Sequence, residues 1–409
     1  MPSPVRVGVV GCGSIARGLH LPVIAALSDR LQLVAVCDLN EAVGRQIGEQ
    51  YGVSHFTSFE KMLESGVEAV SILTYAYNHH LLGAAAARAG KHVLVEKPIA
   101  LTLPCADYLI GACGDAGVLL QVAENYPFMP HDALINRLAH SGAIGGVVAV
   151  FVCDDINGMT LDIGVHRFAQ VRGAVAARPI RLSAEVRLPN FGRAQGEVTD
   201  RCFGDPFGEY WGRATVEFEN GALGFCECFP LLRAAPVWAN DYRRIIGTEG
   251  VITDDLWPNI FPPLAKGEVR VHRWEGRAWE ERPIEHIRSE GALERLVLHG
   301  DPSVVWENPF RECRFPQARV EWASPASLEM WLIAEAELYS GFAHAIREGT
   351  APPYPGELGR LDLEMCLATY ESARRGAPLA LPLVEITEHE RRVHLEFRER
   401  YGREPLPPH

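Results

Sequence analysis

The feature that most constrains the fold is a glycine-rich turn between a valine-rich run and a helical segment. Residues 5–10 read Val-Arg-Val-Gly-Val-Val, a composition typical of a strand buried on both faces. Gly11, Gly13 and Ala16 follow in the spacing G-x-G-x-x-A. Gly11 permits a tight turn, Gly13 lets a pyrophosphate approach the backbone, and Ala16 lets the helix pack closely on the strand. The pattern predicts a dinucleotide-binding fold.

A second feature bears on the nucleotide that such a fold would bind. The buried strand predicted over Leu31–Cys37 ends at Asp38. A carboxylate at that place accepts hydrogen bonds from the ribose hydroxyls of NAD and repels the 2′-phosphate of NADP. Leu39 and Asn40 carry no positive charge, whereas Arg45 is close enough in sequence to keep NADP open as the alternative. The sequence therefore predicts NAD as the cofactor.

Strands and helices alternate along the first 125 residues, and the pattern then changes. Further strands are predicted at 54–57, 69–73, 92–96 and 118–122, with helical segments between them. This indicates a Rossmann dinucleotide-binding domain over residues 1–125. Later strand-like stretches are separated by turn signals, so residues 126–409 are expected to form an α+β domain for substrate binding and oligomerisation, with an open, mostly antiparallel sheet. Residues 253–330 are poorly periodic and receive no assignment.

A lysine stands at the end of the predicted strand 92–96. The segment Glu96-Lys97-Pro98 stops this strand, because proline cannot donate a hydrogen bond to a sheet ladder. In open α/β sheets the carboxyl edge is where ligands bind. A lysine at that edge can hydrogen-bond a substrate oxygen or take its proton. The alternative is a surface lysine at the start of a loop.

Asp162 and His166 form a second candidate pair. They are four residues apart at a predicted helix start, so both side chains can face the same cleft. Oxidation of an alcohol needs a hydride acceptor and a group that removes the hydroxyl proton. His166 titrates near neutrality, and Asp162 could orient it. Chemistry alone leaves open whether His166 or Lys97 is the base. The alternative is a helix cap beside a partly buried structural histidine.

Together these motifs resemble the glucose–fructose oxidoreductase/inositol dehydrogenase (Gfo/Idh/MocA) family. The resemblance rests on the glycine turn, Asp38, Thr74 with His79, Glu96-Lys97-Pro98 and the D-x-x-x-H spacing at 162 to 166. It implies an NAD(P)-dependent dehydrogenase acting on a CH–OH group of a sugar, cyclitol or glycoside. It also implies catalytic roles for Lys97, Asp162 and His166. Implied cofactor contacts are Gly11, Gly13, Ser14, Ile15, Asp38, Thr74, His79, Glu96, Lys97 and Asn125.

The chain departs from the family pattern in two places, which leaves the substrate undefined. Ala169 stands where members often carry an acidic residue, and the stretch between Cys153 and Asp162 is short. Two other functions stay open. One is cleavage of a glycoside by transient oxidation and elimination, without net release of NADH. The other is a non-catalytic, ligand-sensing regulator, against which the retention of all three catalytic candidates counts.

The amino-acid composition excludes several classes of binding partner. The net charge of -13 argues against nucleic acid or an anionic membrane surface. The sequence contains no 18-residue apolar run and no recognised secretory signal. Its ten cysteines are scattered and include no C-x-x-C pair, which indicates reduced thiols. A cytoplasmic location is therefore expected. Cys153-Asp154-Asp155 lacks zinc-ligand spacing, and no metal is expected. An open sheet with an apolar face predicts a homodimer or homotetramer.

Overall fold

The computed structural model describes residues 3–154, 161–187, 211–228, 242–254, 269–275, 278–321 and 323–407. Their strands form a six-stranded, a nine-stranded and a three-stranded sheet. The predicted fold class, a Rossmann domain followed by an open and mostly antiparallel sheet, is confirmed. The division of the chain at residue 125 stays a prediction.

The first sheet is parallel throughout, in the order β3-β2-β1-β4-β5-β6. The strands are β1 (Val5–Val10), β2 (Leu31–Cys37), β3 (Ser54–Phe56), β4 (Ala69–Ile72), β5 (His92–Glu96) and β6 (Leu120–Ala123). The connecting helices are α1 (Leu21–Ala26, after a π-helical turn Ala16–His20), α2 (Glu41–Tyr51), α3 (Phe59–Leu63), α4 (His79–Arg88) and α5 (Leu103–Ala116). The strand order reverses between β1 and β4, which opens the crevice where a dinucleotide binds.

The second sheet has the order β14-β13-β12-β11-β7-β10-β9-β8-β18, and only its β7–β10 pair is parallel among the described strands. The strands are β7 (Val147–Asp154), β8 (Pro179–Arg187), β9 (Trp211–Phe218), β10 (Leu223–Cys228), β11 (Tyr242–Gly247), β12 (Gly250–Asp254), β13 (Val269–Glu275), β14 (Ala278–Pro283) and β18 (Leu379–Ala380). Helix α6 (Pro130–His140) precedes this sheet, and α7 (Leu161–Val175) packs on one face of it.

The poorly periodic region contains more structure than the sequence indicated. Besides β13 and β14 it forms a small antiparallel sheet of β15 (Glu285–Ser289), β16 (Ala292–Leu298) and β17 (Val304–Glu307). The side chains of β15 are mostly exposed, and Trp306 of β17 is 1% exposed. A strand that is mostly solvated carries little apolar alternation, which is why these elements were not predicted.

Three C-terminal helices complete the chain: α8 (Pro325–Glu348), α9 (Gly356–Arg375) and α10 (Glu388–Tyr401). Helices α8 and α9 return to the first sheet, where the Gln121 side-chain amide donates to the Leu338 carbonyl at 3.0 Å. Gly359 permits the close approach of α9, because a Cβ there would lie 2.6 Å from Val122 Cγ2. Helix α10 was not predicted from the sequence. Among the described helices, none is both long and apolar enough to cross a membrane.

Candidate active site

The site lies along the carboxyl edge of the first sheet. The strands are parallel, so the residues that directly follow them come together at this edge: Gly11 after β1, Asp38 after β2, Lys97 after β5 and Glu124 after β6. Strands β5 and β6 pair Glu96 with Ala123, so Lys97 and Glu124 leave adjacent strands at the same level. Neighbouring strands are about 4.8 Å apart, which places these two residues side by side.

The glycine turn has the geometry that a dinucleotide needs. Gly11 has a φ of +88°, and a Cβ there would lie 2.8 Å from the Leu73 carbonyl oxygen, so any larger residue would displace the backbone. A Cβ at Gly13 would meet no protein atom within 4 Å, so the protein's own packing does not require glycine there. This fits a pyrophosphate against the backbone. Ser14 is exposed and Ile15 half-buried at the helix start that follows.

Asp38 is held in place by the backbone of the same edge. Its Oδ2 accepts a hydrogen bond from the Cys12 amide at 2.8 Å, and its Oδ1 accepts one from the Asn40 amide at 2.8 Å. Each carboxylate oxygen has a second lone pair, so both can still accept a ribose hydroxyl. Arg45 pairs with Glu41, its neighbour one turn away on α2. The residues present therefore fit NAD.

His79 lies between the turn after β4 and the turn after β5, and its ring contacts a backbone carbonyl of each. It is 1% exposed, with Nε2 3.0 Å from the Thr74 carbonyl oxygen and Nδ1 2.9 Å from the Pro98 carbonyl oxygen. Burial lowers the pKa of His79. Thr74 itself is half-buried at the end of β4. These contacts give His79 a structural task, and its predicted contact with the cofactor stays a prediction.

The glutamate before Lys97 belongs to a buried network that the sequence did not indicate. Glu96 Oε2 accepts from the Lys97 amide at 3.0 Å, and Glu96 Oε1 lies 2.8 Å from His20 Nε2. On its other side, His20 Nδ1 lies 3.0 Å from the Tyr339 hydroxyl and 3.1 Å from Glu335 Oε1. His20 is fully buried, as is Glu335. The network links the π-helical turn before α1 to β5 and α8.

The charges of this network follow from its contacts. Burial alone would lower the pKa of His20, but Glu335, Tyr339 and Glu96 raise it well above its usual value. Burial likewise opposes ionisation of Glu96, yet the hydrogen bond and charge of His20, with Lys97, lower its pKa. Burial raises the pKa of Glu335 against the pull of His20. A cationic His20 beside an anionic Glu96 thus anchors the turn that carries Lys97, which is half-buried.

His166 is paired with a carboxylate that the sequence did not indicate. Its Nδ1 lies 2.7 Å from Glu124 Oε1 and 2.8 Å from Glu124 Oε2. Both side chains are buried, at 4% and 1% exposure. The imidazole ring stacks on Tyr126 with 3.8 Å between centroids and 6° between planes, and the Tyr126 amide donates to Glu124 Oε1 at 3.2 Å. Glu124 is therefore a carboxylate in contact with His166 that was not among the predicted site residues.

Asp162 lies in the first turn of α7, one turn before His166, as expected. Its side chain is outside the described part of the chain, so its role stays a prediction. Asn125 is half-buried after β6, and its Oδ1 is buried without a described hydrogen-bond partner. Among the described residues, no group of three or more His, Cys, Asp or Glu side chains is arranged to hold a metal ion.

Glu124 has an altered acidity that matters for proton transfer. Burial raises the pKa of its carboxyl group to about 8, although Lys97, the Tyr126 amide and Arg172 act in the opposite direction. The lysine charge thus reaches the same carboxylate that contacts His166. Lys97 and Glu124 follow adjacent strands, and His166, from a stretch far away in sequence, contacts the Glu124 carboxylate. The arrangement can hold a proton near neutral pH at the edge where a nicotinamide would lie.

The comparisons with known proteins agree with this geometry. Residues 5–124 match the GFO_IDH_MocA family, described as an oxidoreductase family with an NAD-binding Rossmann fold. The dTDP-3,4-didehydro-2,6-dideoxy-alpha-D-glucose 3-reductase of Streptomyces violaceoruber is 34% identical over 42% of this chain and 57% of its own length. The scyllo-inositol 2-dehydrogenase (NAD(+)) of Bacillus subtilis is 25% identical over 62% of this chain and 74% of its own.

A solved structure resembles most of the chain. Levoglucosan dehydrogenase in complex with NADH and levoglucosan has a TM-score of 0.69 and 20% identity, covering 93% of this chain and all of the other. At that identity the likeness shows the fold. The family match falls on the domain that contains the glycine turn, Asp38 and Lys97. Residues 5–124 thus form an NAD-binding domain of the Gfo/Idh/MocA family of oxidoreductases.

Proposed function

We propose that this protein is an NAD-dependent dehydrogenase that transfers hydride between nicotinamide and a hydroxyl carbon of a sugar, cyclitol or glycoside. The observation that carries the proposal is the convergence of Lys97 and His166 on the buried Glu124 carboxylate. This places a cation and an imidazole at the carboxyl edge of an NAD-binding sheet. The names of the relatives, which include sugar reductases and inositol dehydrogenases, support the substrate class.

Each residue has a defined task in this proposal. Bound NAD supplies the hydride acceptor. Lys97 hydrogen-bonds the substrate hydroxyl and stabilises the negative charge that develops on its oxygen. His166 takes the hydroxyl proton, and Asp162 contributes to substrate binding from one turn earlier. The cofactor is bound by the glycine turn, Asp38 and the strand-end residues, namely Gly11, Gly13, Ser14, Ile15, Asp38, Thr74, His79, Glu96, Lys97 and Asn125.

The test is a screen of polyols, sugars and glycosides with NAD and with NADP, following the absorbance of the reduced nicotinamide. We expect NADH to form in proportion to oxidised product with NAD. Lys97→Met and His166→Gln should abolish most of this signal. Free sugar released without net NADH would instead support glycoside cleavage by transient oxidation. Tight binding of a sugar with no product of either kind would support a sensor.

The assembly state is part of the proposal. On the face of the nine-stranded sheet opposite α7, Phe151 and Phe225 stack with 4.5 Å between centroids, and both are only half-buried. We infer that this face is covered by a second copy in a homodimer or homotetramer. Light scattering after gel filtration tests it: Phe151→Asp should shift the mass towards the monomer.

The proposal also includes the cellular location of the protein and the division of its chain into domains. Nine of the ten cysteines lie in the described part of the chain, and all nine are free thiols. A cytoplasmic location accounts for this usage, since reducing compartments keep thiols unpaired. We also propose that residues 1–125 bind the nucleotide and that 126–409 bind substrate and the second copy. Cell fractionation, and mass spectrometry after limited proteolysis, test these two statements.

A further inference from the structure

The strongest unassigned feature of the molecule is the carboxyl group of Glu124. It is 1% exposed and belongs to neither predicted set of site residues. Both of its oxygens lie within 2.8 Å of His166 Nδ1, and the Tyr126 amide donates to one of them. Stacking on Tyr126 restrains the His166 ring in its plane. Backbone, ring and carboxylate therefore hold one imidazole orientation.

We propose that Glu124 is the positioning residue that sets the tautomer of His166 and thereby decides whether its Nε2 accepts or donates the substrate proton. This statement rests on the proposed dehydrogenase function. Glu124 acts through His166, and its carboxylate binds the Nδ1 proton. The Nε2 lone pair is then the proton acceptor of the ring.

The proton count explains how one site serves both directions of the reaction. With one proton on the pair, Nδ1–H donates to the Glu124 carboxylate and Nε2 carries a lone pair. As the alcohol is oxidised, its hydroxyl proton goes to Nε2, which leaves imidazolium beside carboxylate, and bound NAD would accept the hydride. For carbonyl reduction the same proton returns from Nε2 to the oxygen. With two protons on the pair, Nε2 always carries hydrogen and cannot act as a base.

The charges around Glu124 determine the pH at which the Glu124–His166 pair binds its second proton. Lys97 and Glu96 face it from β5 with opposite signs, and Arg172 of α7 faces it from the other side. Arg172 is already paired with Asp362, at 3.1 Å, and Tyr354 hydrogen-bonds the same carboxylate. Burial is the largest influence on the pKa of Glu124 and raises it, whereas the charge of Lys97 is the largest influence that lowers it.

The direct test is NMR of the nucleotide-free protein labelled with ¹⁵N in histidine, in which His166 is assigned by its loss in His166→Gln. We expect the wild type to show hydrogen on Nδ1 at pH 9 and to bind its second proton above the ordinary histidine range. Glu124→Gln removes the counter-charge, so the His166 midpoint should fall by about one pH unit or more. A shift below about 0.3 unit, or hydrogen on Nε2 at pH 9, would overturn the proposal.

A matched control separates this role from general loss of a buried carboxylate. Glu371 is 2% exposed, lies in α9 and is ion-paired with Arg374 and Arg375. Glu371→Gln should leave the His166 midpoint unchanged. Glu124→Asp keeps the charge but moves it one methylene further from His166. The His166 midpoint should then fall by less than in Glu124→Gln. If Glu124→Gln does not fold, Glu124→Asp decides: an unchanged midpoint overturns the proposal.

Kinetics supply a second readout, with the substrate that yields NADH in the screen. Glu124→Gln should lower kcat for oxidation about tenfold to a hundredfold, with KM and NADH affinity changed less than about threefold. The basic limb of the oxidation profile should move to lower pH with the NMR midpoint. An unchanged pH profile would contradict the proposal. Absence of turnover in the wild type would refute the proposed function only, because the NMR result does not depend on turnover.

Discussion

Substitution of His20 by glutamine should destabilise the protein in a pH-dependent manner. The imidazole is fully buried between Glu96 Oε1, at 2.8 Å, and Glu335 Oε1, at 3.1 Å. Removing one partner of a buried ion pair costs about 3–5 kcal/mol. Glutamine keeps some hydrogen bonds, and the raised pKa of Glu335 favours its neutral form, so we expect about 3 kcal/mol.

The sign of the pH dependence follows from the raised pKa of His20. A histidine whose pKa is raised by folding stabilises the protein fully below its unfolded pKa of about 6.5. Above that pH the unfolded chain loses the proton first, and the stabilisation declines by about 1.4 kcal/mol per pH unit until the folded pKa is reached. The difference between wild type and His20→Gln should therefore shrink by about 2 kcal/mol between pH 6.5 and 8.

Urea unfolding at constant ionic strength measures this difference at each pH. Tyr339→Phe is the matched control, because it removes the hydroxyl that His20 and Ser71 contact but no charge. It should cost about 1 kcal/mol with little dependence on pH. A His20→Gln difference that stays constant from pH 6 to 8, or one below about 1 kcal/mol at pH 6, would refute a cationic His20.

Three further predictions follow from the same geometry. Lys97→Met should lower kcat about a hundredfold or more while NADH affinity, measured by fluorescence, stays within about twofold; equal turnover would contradict its role. Asp38→Asn should weaken NAD about tenfold and NADP hardly at all by calorimetry, and a wild type that prefers NADP would contradict it. Gly359→Ala should cost about 1–3 kcal/mol through the 2.6 Å approach to Val122, whereas Gly111→Ala, with open space, should not; equal midpoints would contradict the packing argument.

Local pattern alone was enough for the architecture of the nucleotide-binding half. Buried parallel strands need continuous apolar runs, and the turn after β1 needs glycine at a φ of +88°, so both leave direct traces in the sequence. Pro98 likewise indicated where β5 ends and where Lys97 emerges. These features depend on residues close in the chain, and for that reason the Rossmann fold and the NAD-binding class could be predicted.

The proton-holding groups were decided by tertiary structure. Glu124 and His166 are 42 residues apart, and His20 and Tyr339 are 319 apart, so no spacing rule joins them. Nothing in the local sequence indicates that a glutamate directly after a strand will be buried. Local spacing instead suggested Asp162, which is one helical turn from His166. Glu124 is buried where α7 brings His166 against the residues that follow β6, and His20 is buried where α8 packs on the first sheet. Burial then changes their acidity, which composition and periodicity do not encode.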